Sequence, residues 1–209
     1  AARAFYESSV LLYGEHSGLV DLGWLNEFLG VAMVYGLPLH GVHAFRPVPW
    51  TRAHGYDFAF SVSALPAVAE RPLVIGLISD WACGNLPARS VLQELKKQGP
   101  DLVIHLGDTY YSGTLAEAQK FWLEMSREIL GDVPILQIPG NHDYYSGGAG
   151  FFHVIDQVGL QQASFFALRG ERWQVLALDT GLPDNFNLLP GKSMTFLEDG
   201  QAAWARAQL

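Results

Sequence analysis

The feature that most constrains the fold is an alternation of short apolar runs and amphipathic segments between residues 73 and 138. The apolar runs have the length of strands that are covered on both faces. The amphipathic segments have helical spacing, and Gly99 and Gly131 follow them as stop signals. Strands are expected at residues 73–78, 102–106 and 134–138, and helices at residues 87–97 and 115–130. This order predicts right-handed crossovers, a parallel sheet and therefore an α/β fold.

The remaining sequence divides at about residue 70. Residues 1–70 are an aromatic-rich extension of unclear role, with a helix expected at residues 20–34 and an edge strand at residues 56–62. Residues 71–209 form the predicted main domain. In its second half we expect a hairpin from residues 164–168 and 173–178, and a helix that begins at Gln201.

Composition excludes several classes of function. The formal net charge of −8 argues against a surface that binds nucleic acid or anionic lipid. The single cysteine, Cys83, excludes an internal disulfide and a thiolate zinc cluster, and it is compatible with a reducing compartment such as the cytoplasm. The apolar run at residues 28–39 is shorter than a membrane span requires.

Polar side chains follow all three predicted parallel strands. Asp80 follows the first strand, Asp108 the second, and Asn141-His142-Asp143 the third. Each taken alone is equally consistent with an ordinary turn or helix cap. Together they would meet at one edge of the sheet, where several carboxylates need a cation or an ion-pair network. No Lys or Arg adjoins them in the sequence, so a metal is favoured.

These motifs resemble a known family. Asp80, Gly107-Asp108 and Gly140-Asn141-His142-Asp143, each separated by a helix, look like the first three motifs of the calcineurin-like metallophosphoesterases, which include the purple acid phosphatases. The resemblance covers about residues 72–209. The stretch Leu178-Asp179-Thr180-Gly181, with Gln201 and Trp204 later, is a weaker similarity to the same family.

The first motif departs from the pattern of most members. They carry Asp-x-His, whereas the sequence here is Asp80-Trp81-Ala82, which lacks the imidazole ligand. The purple acid phosphatase branch instead takes a tyrosine from Gly-Asp-x-x-Tyr, and the match falls on Tyr111. The loss of the histidine and the gain of the tyrosine agree, so the resemblance favours this branch. A tyrosinate ligand suits Fe³⁺.

The resemblance implies a four-layer α/β/β/α sandwich with two metal ions, Fe³⁺ beside Fe²⁺, Zn²⁺ or Mn²⁺. Asp80 and Tyr111 would bind the first metal, Asp108 would bridge both, and Asn141 would bind the second. His142 would contact the substrate phosphate or protonate the leaving group, and Asp143 would orient its ring. The implied reaction is hydrolysis of a phosphorylated small molecule or other phosphoester by metal-activated hydroxide.

Two later family motifs, a histidine after a later strand and a Gly-His-x-His, do not occur in this sequence. Three explanations stay open: the C-terminal part of the fold is missing from this chain, another chain supplies the ligands, or the protein is a degenerate module that binds or scaffolds without hydrolysis. The helix that is unfinished at Leu209 favours the first, an incomplete metallophosphoesterase domain. Among the other candidates, His105 is expected to be a buried structural histidine. Four aromatics, Trp81, Tyr110, Tyr144 and Tyr145, are expected either to line the mouth of the pocket or to pack within loops.

Overall fold

The structure is a computed structural model that describes residues 46, 48–53, 55, 58–61, 71–81, 85–109, 113–144, 147–181 and 196–209. The described residues do not include the helix expected at residues 20–34, nor Cys83, Tyr110, Tyr111 and Tyr145. The described strands are β1 Ala59–Ser61, β2 Ile75–Ile78, β3 Leu102–His105, β4 Ile135–Gln137, β5 Phe166–Arg169 and β6 Gln174–Ala177. The described helices are α1 Val48–Ala53, α2 Leu86–Lys97, α3 at residues 115–130, α4 Ala149–Val158 and α5 Asp199–Gln208.

The first sheet is the predicted parallel one. Its strands lie in the order β2-β3-β4, and α2 and α3 are the crossovers between them. Ile78 pairs with His105, and His105 pairs with Gln137, so the three strands end at the same level. The α/β prediction is confirmed, although each strand is shorter by one or two residues than its apolar run.

The second sheet has the strand order β1-β5-β6. Strands β5 and β6 form the predicted antiparallel hairpin, with Phe166 opposite Ala177. Strand β1 lies at the edge, as expected, and pairs in parallel with β5 through Ala59 and Ala167. A strand from before residue 70 therefore contributes to this sheet, while the division of the chain into two regions stays a prediction.

The two sheets pack face to face, with helices on both outer sides. Alternate residues of a strand point to opposite faces, so each sheet buries two sets of side chains. The layer between the sheets contains Ile104 of β3 and Phe166 of β5. On the outer face of the first sheet, Val103 packs with Trp122 of α3, and on the outer face of the second, Ala167 packs with Trp204 of α5. The described elements thus form the expected α/β/β/α layers.

Helix α3 has the predicted extent but an unexpected geometry. Thr114 and Glu117 form a reciprocal capping box at its start. Its middle, Ala118–Glu124, is a π-helix between α-helical turns, and it buries Phe121, Trp122 and Leu123. Such wider turns are frequent near functional sites. Here the π-helix places Trp122 beneath β3, with its ring centroid 4.9 Å from that of His105.

Candidate active site

The loops that follow β2 and β3 are joined by backbone hydrogen bonds at the C-terminal edge of the first sheet. Leu106 N donates to Ile78 O at 2.8 Å, and Asp80 N donates to Gly107 O at 3.1 Å. The ladder between the strands therefore continues for two residues past their ends. This continuation brings Asp80 beside the loop that carries Asp108.

Both aspartates have left-handed backbone conformations. Among the described residues other than glycine, only Asp80, with φ of 50°, and Asp108, with φ of 49°, have a positive φ. This region is unfavourable for residues with a Cβ, and Asp and Asn tolerate it best. Such strain concentrates at functional sites, where the surrounding structure maintains it.

The loop after β4 lies so close to Asp108 that only glycine fits at two positions. A Cβ on Gly140 would lie 2.1 Å from Asp108 Oδ1, and a Cβ on Gly107 would lie 2.6 Å from Gly140 N. The approach is reinforced by a hydrogen bond, because His142 N donates to Asp108 Oδ1 at 3.1 Å. Asp108 is thus held between its own turn and the Gly140-Asn141-His142 segment.

The carboxylate of Asp143 links these loops. Asp143 is fully buried, its Oδ1 accepts a hydrogen bond from Thr109 N at 3.0 Å, and its Oδ2 accepts one from Gly140 N at 2.8 Å. Each oxygen therefore binds the backbone on one side of the Asp108 carboxylate. The proposed orientation of the His142 ring by Asp143 stays a prediction.

His105 lies beneath the same turn and is the buried structural histidine that was expected. Its Nδ1 accepts a hydrogen bond from Gly107 N at 3.2 Å and lies 3.1 Å from Thr109 Oγ1. The side chain is fully buried, and this desolvation lowers its pKa to about 3, so the imidazole is neutral at physiological pH.

The segment that follows β6 contacts the loop after β4. A Cβ on Gly181 would lie 2.5 Å from Gly140 O, so these two backbones touch. Asp179 Oδ1 accepts a hydrogen bond from Gly181 N at 3.1 Å, and its Oδ2 accepts one from Tyr144 Oη at 2.5 Å. Burial and then the Asp179 carboxylate raise the pKa of Tyr144 well above the usual value for a phenol. Gln201 exchanges two hydrogen bonds with the backbone of Asp179, at 2.7 and 3.0 Å.

In the sequence, Asp179 and Gln201 are only a weak similarity to the family. Their contact with the loop that contains Tyr144 depends on residues that are distant in sequence, and no local pattern signals it. Tyr144 and Trp81 are both buried, and Trp81 Nε1 donates to Ala88 O. The prediction that these two aromatics pack within the structure is confirmed, and the alternative that they line the mouth of a pocket is wrong.

The predicted metal ligands that the structure describes lie at this one edge. Asp80 is exposed, whereas Asp108, Asn141 and His142 are partly buried. Two carboxylates and an amide oxygen are suited to hard cations, so the chemistry of the donors fits the implied metals. The described ranges contain no group of three or more His, Cys, Asp or Glu side chains that could hold a metal ion. The structure describes three of the four proposed ligands, Asp80, Asp108 and Asn141, and their coordination of a metal stays a prediction.

A comparison with models of protein families identifies the family to which this chain is similar. Residues 73–201, more than half of the chain, match the family model described as calcineurin-like phosphoesterase. The matched range contains both carboxylates, the loop after β4 and Asp179. A search of the curated proteins found no match. Within the described residues, no helix has the length and apolar character needed to cross a membrane.

Proposed function

Because this chain belongs to the calcineurin-like phosphoesterase family, we propose that it is a metal-dependent hydrolase of phosphate esters. The observation that carries the proposal is the meeting of the three loops after β2, β3 and β4. The hydrogen bonds from Asp80 N to Gly107 O and from His142 N to Asp108 Oδ1 join these loops at one sheet edge. In open α/β sheets, ligands bind outside the carboxyl ends of the strands.

In this proposal Asp80 and Tyr111 would hold one metal ion, Asp108 would contribute to the binding of both, and Asn141 would hold the second. When bound, the two cations supply Lewis acidity that polarises phosphoryl oxygens and lowers the pKa of a water molecule. We further propose the purple-acid-phosphatase-like branch, with Fe³⁺ beside Fe²⁺, Zn²⁺ or Mn²⁺, because Tyr111 matches its tyrosine. Metal analysis of protein produced in medium containing iron, zinc and manganese tests this, and a protein with no iron would contradict the branch assignment.

His142 would act on the substrate. Its backbone N–H binds Asp108, so its side chain begins next to the bridging carboxylate. From there the imidazole would donate a hydrogen bond to the phosphate or a proton to the leaving oxygen. With a formal net charge of −8, the protein repels a phosphorylated substrate at long range, so positive charge is needed at the site itself.

A second candidate function is a module of the same fold that binds or scaffolds without hydrolysis. The observation that favours it is the lack, among the described residues, of a cluster of three or more His, Cys, Asp or Glu side chains able to hold a metal. The two candidates differ in turnover, and stoichiometric metal binding with hydrolysis would exclude the second.

The deciding experiment uses Mn²⁺-loaded protein and p-nitrophenyl phosphate. We expect Mn²⁺-dependent hydrolysis that falls at least about 100-fold in Asp108→Asn, since this substitution removes the charge of the bridging ligand. Asp132→Asn is the matched control, because Asp132 is exposed beyond the end of α3, and it should retain full activity. Metal binding without hydrolysis would support the second candidate. Unchanged hydrolysis in Asp108→Asn would refute the proposed site.

A further inference from the structure

The proposed reaction assigns no role to the side chain of His105, although this residue lies at the end of β3, three positions before Asp108. It is fully buried and packs edge-on against Trp122, with ring centroids 4.9 Å apart. An aliphatic side chain could fill this place without bringing a polar ring into the core. Beyond the packing of its ring, the contribution of the imidazole comes from its nitrogen atoms.

The hydrogen bonds determine which nitrogen is the functional one. Gly107 N–H donates to Nδ1, so Nδ1 carries no proton, and the neutral ring must carry its proton on Nε2. Nε2 has no hydrogen-bond partner among the described residues. A buried N–H without a partner is unfavourable, so this tautomer is retained because of what Nδ1 does.

Nδ1 stabilises a turn in which Asp108 has an unfavourable backbone conformation. Gly107 has φ of 107°, which glycine adopts readily, whereas Asp108 has φ of 49°, which is unfavourable for a residue with a Cβ. Nδ1 contacts both ends of this turn, through Gly107 N and Thr109 Oγ1. Asp143 binds Thr109 N from the other side. Asp108 is the residue that lies between these contacts.

We propose that His105 is a positioning residue whose Nδ1 fixes the turn at residues 107–109 and thereby the direction of the Asp108 carboxylate. The proposal rests on the proposed function in that Asp108 is taken to bridge the metals. Groups that orient metal ligands from outside the coordination shell typically change metal affinity by 10- to 100-fold. The position of the acceptor atom, and not the volume of the ring, is expected to decide the effect.

The test compares His105→Asn with His105→Gln. The Asn side chain places a carbonyl oxygen about where Nδ1 lies, whereas the Gln side chain places its amide near the position of Nε2. In metal-free protein, amide hydrogen exchange of Gly107 is measured relative to that of Val103, which reports on the stability of β3. We expect the ratio to stay within about 3-fold of wild type in His105→Asn and to rise about 10-fold in His105→Gln.

Mn²⁺ affinity, measured by calorimetry, is the second readout. His105→Gln should bind Mn²⁺ at least about 10-fold more weakly than His105→Asn. Equal exchange ratios in the two variants, or equal Mn²⁺ affinity, would overturn the proposal. If wild-type protein bound no Mn²⁺, the proposed function would fail, while the exchange ratio would still decide whether His105 holds the turn.

Discussion

Replacing Asp143 by asparagine should destabilise the protein by about 3 kcal/mol, although the two side chains have nearly the same shape. Each carboxylate oxygen accepts one backbone N–H, from Thr109 at 3.0 Å and from Gly140 at 2.8 Å. An amide keeps one oxygen and turns an NH₂ group toward the other N–H. One acceptor is then lost, and the NH₂ group faces a backbone N–H that has no acceptor.

The magnitude follows from the two bonds. A hydrogen bond to a charged group contributes about 1.5–3 kcal/mol, so the pair contributes about 3–6 kcal/mol, of which a neutral amide restores about 1 kcal/mol. A buried amide is also cheaper to desolvate than a carboxylate, and this offsets part of the loss. A net loss of about 3 kcal/mol corresponds to a shift of about 1–1.5 M in the urea midpoint at a typical slope of about 2–3 kcal/mol per M.

The assay is equilibrium urea unfolding at pH 7, in the presence of EDTA so that metal binding does not contribute. Asp132→Asn removes the same charge from an exposed position and should change the stability by less than about 0.5 kcal/mol. If Asp143→Asn unfolded at the same urea concentration as Asp132→Asn, the idea that Asp143 joins the two loops would be wrong.

Two further predictions concern the same edge of the sheet. Gly140→Ala should abolish Mn²⁺ binding measured by calorimetry, because the new Cβ would lie 2.1 Å from Asp108 Oδ1. The control is Gly159→Ala, whose Cβ would have no atom within 4 Å. It should lower the free energy of unfolding by only about 1 kcal/mol and leave Mn²⁺ binding unchanged. Normal affinity in Gly140→Ala would contradict the packing of this loop on Asp108. Below about pH 6.5 unfolded His105 takes up a proton that the folded residue, with a pKa of about 3, does not. The free energy of unfolding should therefore decrease as the pH falls from about 6 to 4. The decrease should be steeper in wild type than in His105→Asn, by up to about 1.4 kcal/mol per pH unit. Parallel pH profiles of the two proteins in urea unfolding would count against a buried neutral imidazole.

Local sequence patterns are sufficient to predict the first sheet and the hairpin of the second. The apolar runs before Asp80, Asp108 and Asn141 are long enough to mark buried parallel strands, and the two helices between these three runs carry recognisable end signals, including the Thr114 cap. Because parallel strands end at one edge of a sheet, the strand order also predicts that the three polar loops lie close together. The confirmed parts are therefore those that depend on neighbours in sequence.

The parts that were missed depend on weak local signals or on distant partners. Helix α4, Ala149–Val158, was not predicted because it begins at a Gly-rich segment, and its N-cap, Gly148, provides no capping side chain. The π-helical geometry within α3 leaves no distinct mark, since its apolar residues still follow a nearly helical spacing. The bond between Tyr144 and Asp179 joins residues 35 positions apart, and only packing of the second sheet against the first brings them together.

The left-handed backbone at Asp80 and Asp108 bears on how variants of this protein can be interpreted. Under the proposed function the residue type matters twice at both positions, once for its carboxylate and once for its tolerance of a positive φ. Glutamate keeps the charge but not this tolerance, and alanine keeps neither, so a loss of activity in either variant would mix conformational strain with missing chemistry. Asparagine alone separates the two requirements. A mutational survey based on alanine would therefore overstate the chemical contribution of these aspartates.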